Sequence, residues 1–73
     1  MTKNRMEERI TILPELCEGN PTIRGYRIRV KTILNHLSSG DSIEDLLEAF
    51  PFLEKEDVLA CIAYAAKTLE RNH

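Results

Sequence analysis

The chain has 73 residues, 42% of them hydrophobic and 30% charged, with a net charge of −2. That length allows one domain burying only about 60% of its unfolded surface, and the composition lies outside the range of intrinsic disorder. No apolar run approaches the roughly 18 residues of a membrane span, and the first ten residues lack the apolar centre of a secretory signal, so a cytoplasmic protein with no membrane contact is expected.

In chain order, the 73 residues read as a single domain: a flexible N-terminus over 1–8, a β-arm over 9–30 and a three-helix bundle over 30–71. Arg9-Ile10-Thr11-Ile12-Leu13 alternates polar and apolar residues until Pro14 stops it, which predicts a short strand. Residues 14–20 carry turn formers and little periodicity and read as a loop. Then comes the densest stretch of the chain, Gly19-Asn20-Pro21-Thr22-Ile23-Arg24-Gly25-Tyr26-Arg27-Ile28-Arg29-Val30. Pro21 to Ile23 is extended by β-propensity, Arg24-Gly25 supplies a turn in which Gly25 can take positive φ, and Tyr26 to Val30 alternates again. This predicts a small hairpin or arm with Ile28 and Val30 on one face and Arg27 and Arg29 on the other.

From Val30 the period changes to about 3.6. Val30, Ile33, Leu34 and Leu37 form an apolar stripe that Ser38, Ser39 and Gly40 bring to an end. Ser42 is a good N-cap for a second helix with Glu44 and Asp45 in its first turn and Ile43, Leu46, Leu47 and Phe50 facing the core, before Pro51 forbids continuation. A third and longest helix begins near Lys55, with Val58, Leu59, Ile62, Ala65, Ala66 and Leu69 at core spacing. Ala60, Tyr64, Lys67 and Arg71 then fall on a second, more polar face.

The charges are segregated. Residues 1–36 carry seven Lys or Arg against four Asp or Glu, and residues 37–73 three against eight. Such asymmetry can orient a molecule on a polyanion; the plain alternative is a solvated surface with chance clustering. Three helices with a short Pro-containing connection suit a helix-turn-helix, although a generic three-helix bundle has the same apolar plan. Arginines on a flanking arm favour the first reading, since such arms reach phosphates. Glu54, Glu56 and Asp57 at the start of the third helix count against its entry into a phosphate field, though acidic residues also simply stabilise a helix start.

Chemistry-bearing residues are sparse. His36 and His73 have no assignable nucleophile or carboxylate pair, and no enzyme is expected. Cys17 and Cys61 lack partners at ligand spacing and read as buried or idle thiols, the alternative being a disulfide or an intermolecular contact, and Gly19 and Gly25 do not have the spacing of a phosphate loop. No metal, cofactor or small-molecule substrate is expected. Tyr26 and Tyr64 are each either a contact residue or an aromatic at the edge of the core.

The ordered set Gly19-x-Pro21-x-Ile23-x-Gly25-x-Arg27-Ile28-x-Val30, Ile33-Leu34, Gly40-x-Ser42-Ile43-Glu44-Asp45-Leu46, Phe50-Pro51-x-Leu53, Glu56-Asp57-Val58 and Ala60 to Ala66 closely resembles the bacterial and archaeal domain-of-unknown-function family 433. The resemblance covers about residues 9–69. It implies a mainly α fold, a three-helix helix-turn-helix domain of homeodomain-like or winged-helix-like type with a short N-terminal β-arm or hairpin, usually as a homodimer. It further implies an antitoxin of a type II toxin–antitoxin pair that binds operator DNA and holds a PIN-like ribonuclease toxin by direct contact. The alternative is a protein-interaction module of the same fold without DNA binding. Carried over by position, the glycine, proline and arginine signature falls on Gly19, Pro21, Gly25 and Arg27, and the structural motif comprises Gly19, Pro21, Gly25, Ile28 and Val30. Arg27 is either a clamp on carbonyls or a partner contact. The chain departs from the family at Tyr26, where Thr is frequent, and at Glu54, where a Ser or Thr cap is frequent. The residues expected to meet DNA or a partner are Arg24, Arg27, Arg29, Lys31, Tyr64, Lys67 and Arg71.

Overall fold

The structure, a computed structural model, describes residues 7–71. In chain order these form a 3₁₀ turn (Glu7–Arg9), strand β1 (Ile10–Thr11), a second 3₁₀ turn (Cys17–Gly19), strand β2 (Thr22–Ile23), and helices α1 (Val30–Ser38), α2 (Ile43–Ala49) and α3 (Lys55–Arg71). The described part is mainly α, with a two-strand antiparallel sheet near the N-terminus and three helices, consistent with a small helix-turn-helix domain. The segment expected to be flexible, 1–8, lies outside the described residues over its first six positions.

The strands are shorter than the alternation predicts, for a reason visible in the register. Ile10 pairs with Ile23 and Thr11 with Thr22, and the Arg24 N–H extends the ladder by donating to the Arg9 carbonyl at 2.8 Å. The next rung would place Ile12 opposite Pro21, whose nitrogen has no hydrogen to donate, so pairing stops. Ile12 and Leu13, expected in the strand, are exposed. Tyr26 to Val30 is likewise no full strand. It makes one bridge, Thr22 to Arg29, flanked by Ile23 N–H to the Ile28 carbonyl at 3.3 Å and Val30 N–H to the Pro21 carbonyl at 2.9 Å. Val30 already belongs to α1. Nor does the segment project as an arm, because Thr22, Ile23, Ile28 and Val30 are all buried.

Local chemistry sets the helix ends. Gly40, at φ 104°, closes α1: its N–H donates to Leu37 and the Asp41 N–H to His36, at 3.0 and 3.1 Å, the paired bonds of a Schellman stop. Helix α2 opens with a reciprocal capping box, Asp45 N–H to Ser42 Oγ at 3.1 Å and Ser42 N–H to Asp45 Oδ2 at 2.9 Å. The core then gathers Ile23, Ile28 and Val30 with Ile33, Leu46, Leu53, Val58 and Cys61.

Helix α3 has the expected period but a different phase. Asp57, Val58, Ala60 and Cys61 are buried and Tyr64 packs against the core, whereas Ile62 is 44% and Leu69 67% exposed. At 100° per residue this turns the inward face by about 120° from the one the apolar pattern suggests. The outer face therefore carries Ile62, Ala66 and Leu69, with Leu59 half-buried beside them.

Truncating Ile33, fully buried in this core, is expected to cost about 2–5 kcal/mol. A domain of this size has little more than that in total, so I33A should be largely unfolded by circular dichroism at 25 °C. The outward-facing I62A should leave the urea midpoint nearly unchanged.

Candidate functional site

The start of α3 is built around a carboxylate with no solvent exposure, Asp57. Arg24 grips it with two bonds, Nε to Oδ1 at 3.0 Å and Nη2 to Oδ2 at 2.7 Å. Arg9 Nη1 adds a bond to Oδ1 at 2.8 Å, and the Glu54 N–H donates to Oδ2 at 2.9 Å. Burial by itself would raise the Asp57 carboxyl. The Arg24 guanidinium, the Glu54 N–H and Arg9 together outweigh it and hold the group below the usual carboxylate range. Arg9 also pairs with Glu54 at 2.9 Å, and Arg24 Nη2 donates to the Phe52 carbonyl at 2.9 Å. Hydrogen bonds to these acids raise both guanidiniums above their ordinary value.

Two expectations change here. Asp57 does not face an approaching phosphate, because two arginines from outside α3 allow it to be buried. Arg24, grouped in sequence with the contact residues, has its guanidinium committed to Asp57 and Phe52. The carbonyl clamp considered for Arg27 is made by Arg24 instead.

Next to this cluster lie three further cations. Arg27 and Lys31 are exposed and Arg29 is half-buried. None of the three makes a side-chain hydrogen bond or ion pair among the described residues. Arg27 and Arg29 border a groove of about 560 Å³ whose other lining residues are Tyr26, Phe50, Phe52, Ile28, Thr32 and Cys17. Tyr26 stacks on Phe52 with centroids 4.3 Å apart and planes 24° apart, and Phe50 lies 6.3 Å from Phe52. His36 meets Phe50 edge-on at 5.6 Å and bonds Asp41 Oδ2 through Nδ1 at 2.8 Å. The Arg24 guanidinium carbon sits 5.3 Å from the Tyr26 centroid. The turn beneath is tight: Tyr26 N–H donates to the Ile23 carbonyl at 2.8 Å, with positive φ at both Arg24 (45°) and Gly25 (78°). Gly25 adopts this without strain, whereas Arg24 is held in it by its ion pair. The groove thus presents charged donors beside aromatic rings, chemistry suited to an anion that carries a flat or apolar group.

The remaining expected contact residues lie elsewhere. Tyr64 packs against the core. Lys67 is exposed on α3, and the Arg71 side chain lies outside the described residues. Gly19 and Pro21 flank the loop leading into β2, Gly19 at φ 81°. Phe50, Phe52 and Thr32 are groove residues that sequence reading did not single out. A Phe-Pro-Phe run after a helix was the available signal, but it reads equally as core. Cys17 and Cys61 are both free thiols, and burial, with the Asp57 charge adding to it, pushes the Cys61 thiol up to about 12.

Comparison with known proteins adds a family. A family model described as "Protein of unknown function (DUF433)" matches residues 10–65. The uncharacterized protein y4eO of Sinorhizobium fredii (strain NBRC 101917 / NGR234) is 34% identical over 58 residues, 80% of this chain and 26% of that protein. The chain thus spans about a quarter of the length of this curated relative. A crystal structure of a DUF433 member protein from Anabaena variabilis ATCC 29413 superposes with a TM-score of 0.81 at 31% identity, over 92% of this chain and 66% of that one. Here too the chain is the shorter, spanning just under two thirds of its counterpart.

Because the folded Asp57 carboxyl titrates below its unfolded value of about 3.9, the cluster's contribution is complete above about pH 4. It is lost as pH falls through the folded value. Melting temperature is therefore expected to drop steeply below pH 4. Arg9→Met, which leaves the Arg24 pair in place, should lower the melting temperature at pH 7 and narrow the gap between pH 7 and pH 3. Equal losses at both pH values would show that Arg9 does not act through the Asp57 charge.

Proposed function

The chain belongs to the DUF433 family, and from that footing we propose that it acts by binding rather than turnover, as an antitoxin-like transcriptional autoregulator. In this reading a homodimer contacts the phosphates of operator DNA through Arg27, Arg29 and Lys31 and neutralises a PIN-like ribonuclease toxin by direct contact. One observation carries it. Of the basic residues near the hairpin, Arg9 and Arg24 are consumed by Asp57, while Arg27, Arg29 and Lys31 have no intramolecular partner among the described residues. Unpaired cations have no internal ion pair to break before they meet phosphate, and the counterions they release offset the cost of ordering their side chains. The pairing of Asp57 supports the reading further, since two arginines neutralise one of the three acids that count against a phosphate partner at the start of α3.

A second reading, a protein-interaction module without DNA binding, is favoured by the outer face of α3. From Val58 to Ala66 that helix carries no charged residue, and Ile62 and Leu69 remain 44% and 67% exposed. In the first reading the same face serves the toxin.

Binding to a labelled duplex from the region upstream of the gene separates the two. R27A/R29A/K31A should weaken binding and reduce the slope of log K against log salt by about 0.9 for each phosphate no longer neutralised; an unchanged slope removes these residues as the DNA site. Charge placed on the outer face of α3, I62E/L69E, should abolish co-elution with the product of the neighbouring gene in size-exclusion light scattering and leave DNA binding intact.

A further inference from the structure

We propose that the groove beside the hairpin is a site for unpaired nucleotides, so that the nucleic acid this protein holds most tightly is single-stranded. The proposal rests on the nucleic-acid reading above and specifies which form of nucleic acid the site takes.

A duplex offers phosphates and base edges and hides the flat faces of its bases. For such a partner the cations alone suffice, and an aromatic wall beside them has nothing to cover it. The wall here is substantial. Three of the chain's four aromatic residues, Tyr26, Phe50 and Phe52, line the groove, the two Phe rings half-buried with their inner sides against the core. Tyr26 remains 41% exposed although its ring is firmly placed. It stacks on Phe52, and Arg24, itself fixed by Asp57 and the Phe52 carbonyl, lies near its centroid. A partner therefore meets the exposed part of this ring together with the Arg24 guanidinium over it, and bases stack on guanidinium planes as they do on aromatic rings.

The charges bordering the wall indicate which partner. Arg27 and Arg29 are part of the groove lining and are unpaired among the described residues. An occupant must therefore join negative charge to a flat apolar surface. Every nucleotide does so whatever its base, which is why proteins that hold single strands combine basic grooves with aromatic side chains. An acidic peptide also satisfies the arginines, but it covers the rings only where a bulky apolar residue falls in register with its carboxylates. The volume of about 560 Å³ lies within the range of ligand sites. Thr32 adds a hydroxyl that can donate to or accept from a base edge.

The test uses the full chain, fluorescein-labelled dT12 and U12, and a mixed-sequence duplex of the same length, compared by anisotropy at one salt concentration. Single strands are expected to bind at least about 10-fold more tightly than the duplex. Y26A should weaken single-strand binding about 10-fold, in line with the removal of one base–aromatic stack, and change duplex binding less than about 2-fold. Y26F should keep both. R27A, at an exposed position, should weaken single-strand and duplex binding alike. Equal affinity of the unmodified protein for strand and duplex, or displacement of dT12 by poly-glutamate as readily as by unlabelled dT12, overturns the proposal and leaves phosphate contact standing. Absence of binding to either nucleic acid overturns both readings.

Discussion

Asp57 imposes the constraint on which the rest of the domain depends. An ionised carboxylate with no exposure is tolerable only when it is paired and its lone pairs are filled. Four donors do this, two on Arg24, one on Arg9 and the backbone N–H of Glu54. They come from the turn before β1, the turn after β2 and the residue that precedes α3. One side chain thus ties the three segments together, and no buried side-chain polar atom among the described residues is left without a partner.

Much of the geometry follows from that knot. Burying Asp57 orients α3 so that Val58, Cys61 and Tyr64 face the core and Ile62 and Leu69 face away. Holding Arg24 at positive φ sustains the tight turn that places Tyr26 on Phe52. Using Arg9 and Arg24 internally sets them apart from Arg27, Arg29 and Lys31, which have no partner among the described residues. The grouping costs desolvation of the charges, and a well-packed apolar substitute could match it in stability. An apolar substitute would not select this rotation of α3 through directional bonds.

The arrangement leaves two unlike surfaces. One is a cationic edge with an aromatic wall, formed by the hairpin, the start of α1 and the turn between α2 and α3. The other is the outer face of α3, which carries no charge between Val58 and Ala66. A domain with two such faces can hold a polyanion and a protein at the same time, as the proposed regulator requires, because cations attract the first and exposed aliphatic groups the second. Two of the eight acids in residues 37–73 are held by arginines. Asp57 is neutralised within the domain, and Glu54 is paired with Arg9.

Sequence by itself determined what depends on near neighbours: that residues around 10 and 22 are extended, that α1 stops at Gly40, that Ser42 caps α2, and that Ile28 and Val30 share one face opposite Arg27 and Arg29. Caps, turns and alternation act within a few residues, so their signals survive in a linear reading. Family resemblance could also be read there, from short matches in a fixed order. Only the tertiary structure decided which face of α3 is buried and which arginines are free, because Asp57 is neutralised by residues 48 and 33 positions away in the chain. The two-residue length of the strands and the meeting of Phe50 and Phe52 with Tyr26 were likewise decided there. A local pattern places Asp57 in water with the other acids of a helix start; two distant guanidiniums reverse that preference, and the phase of the helix changes with it.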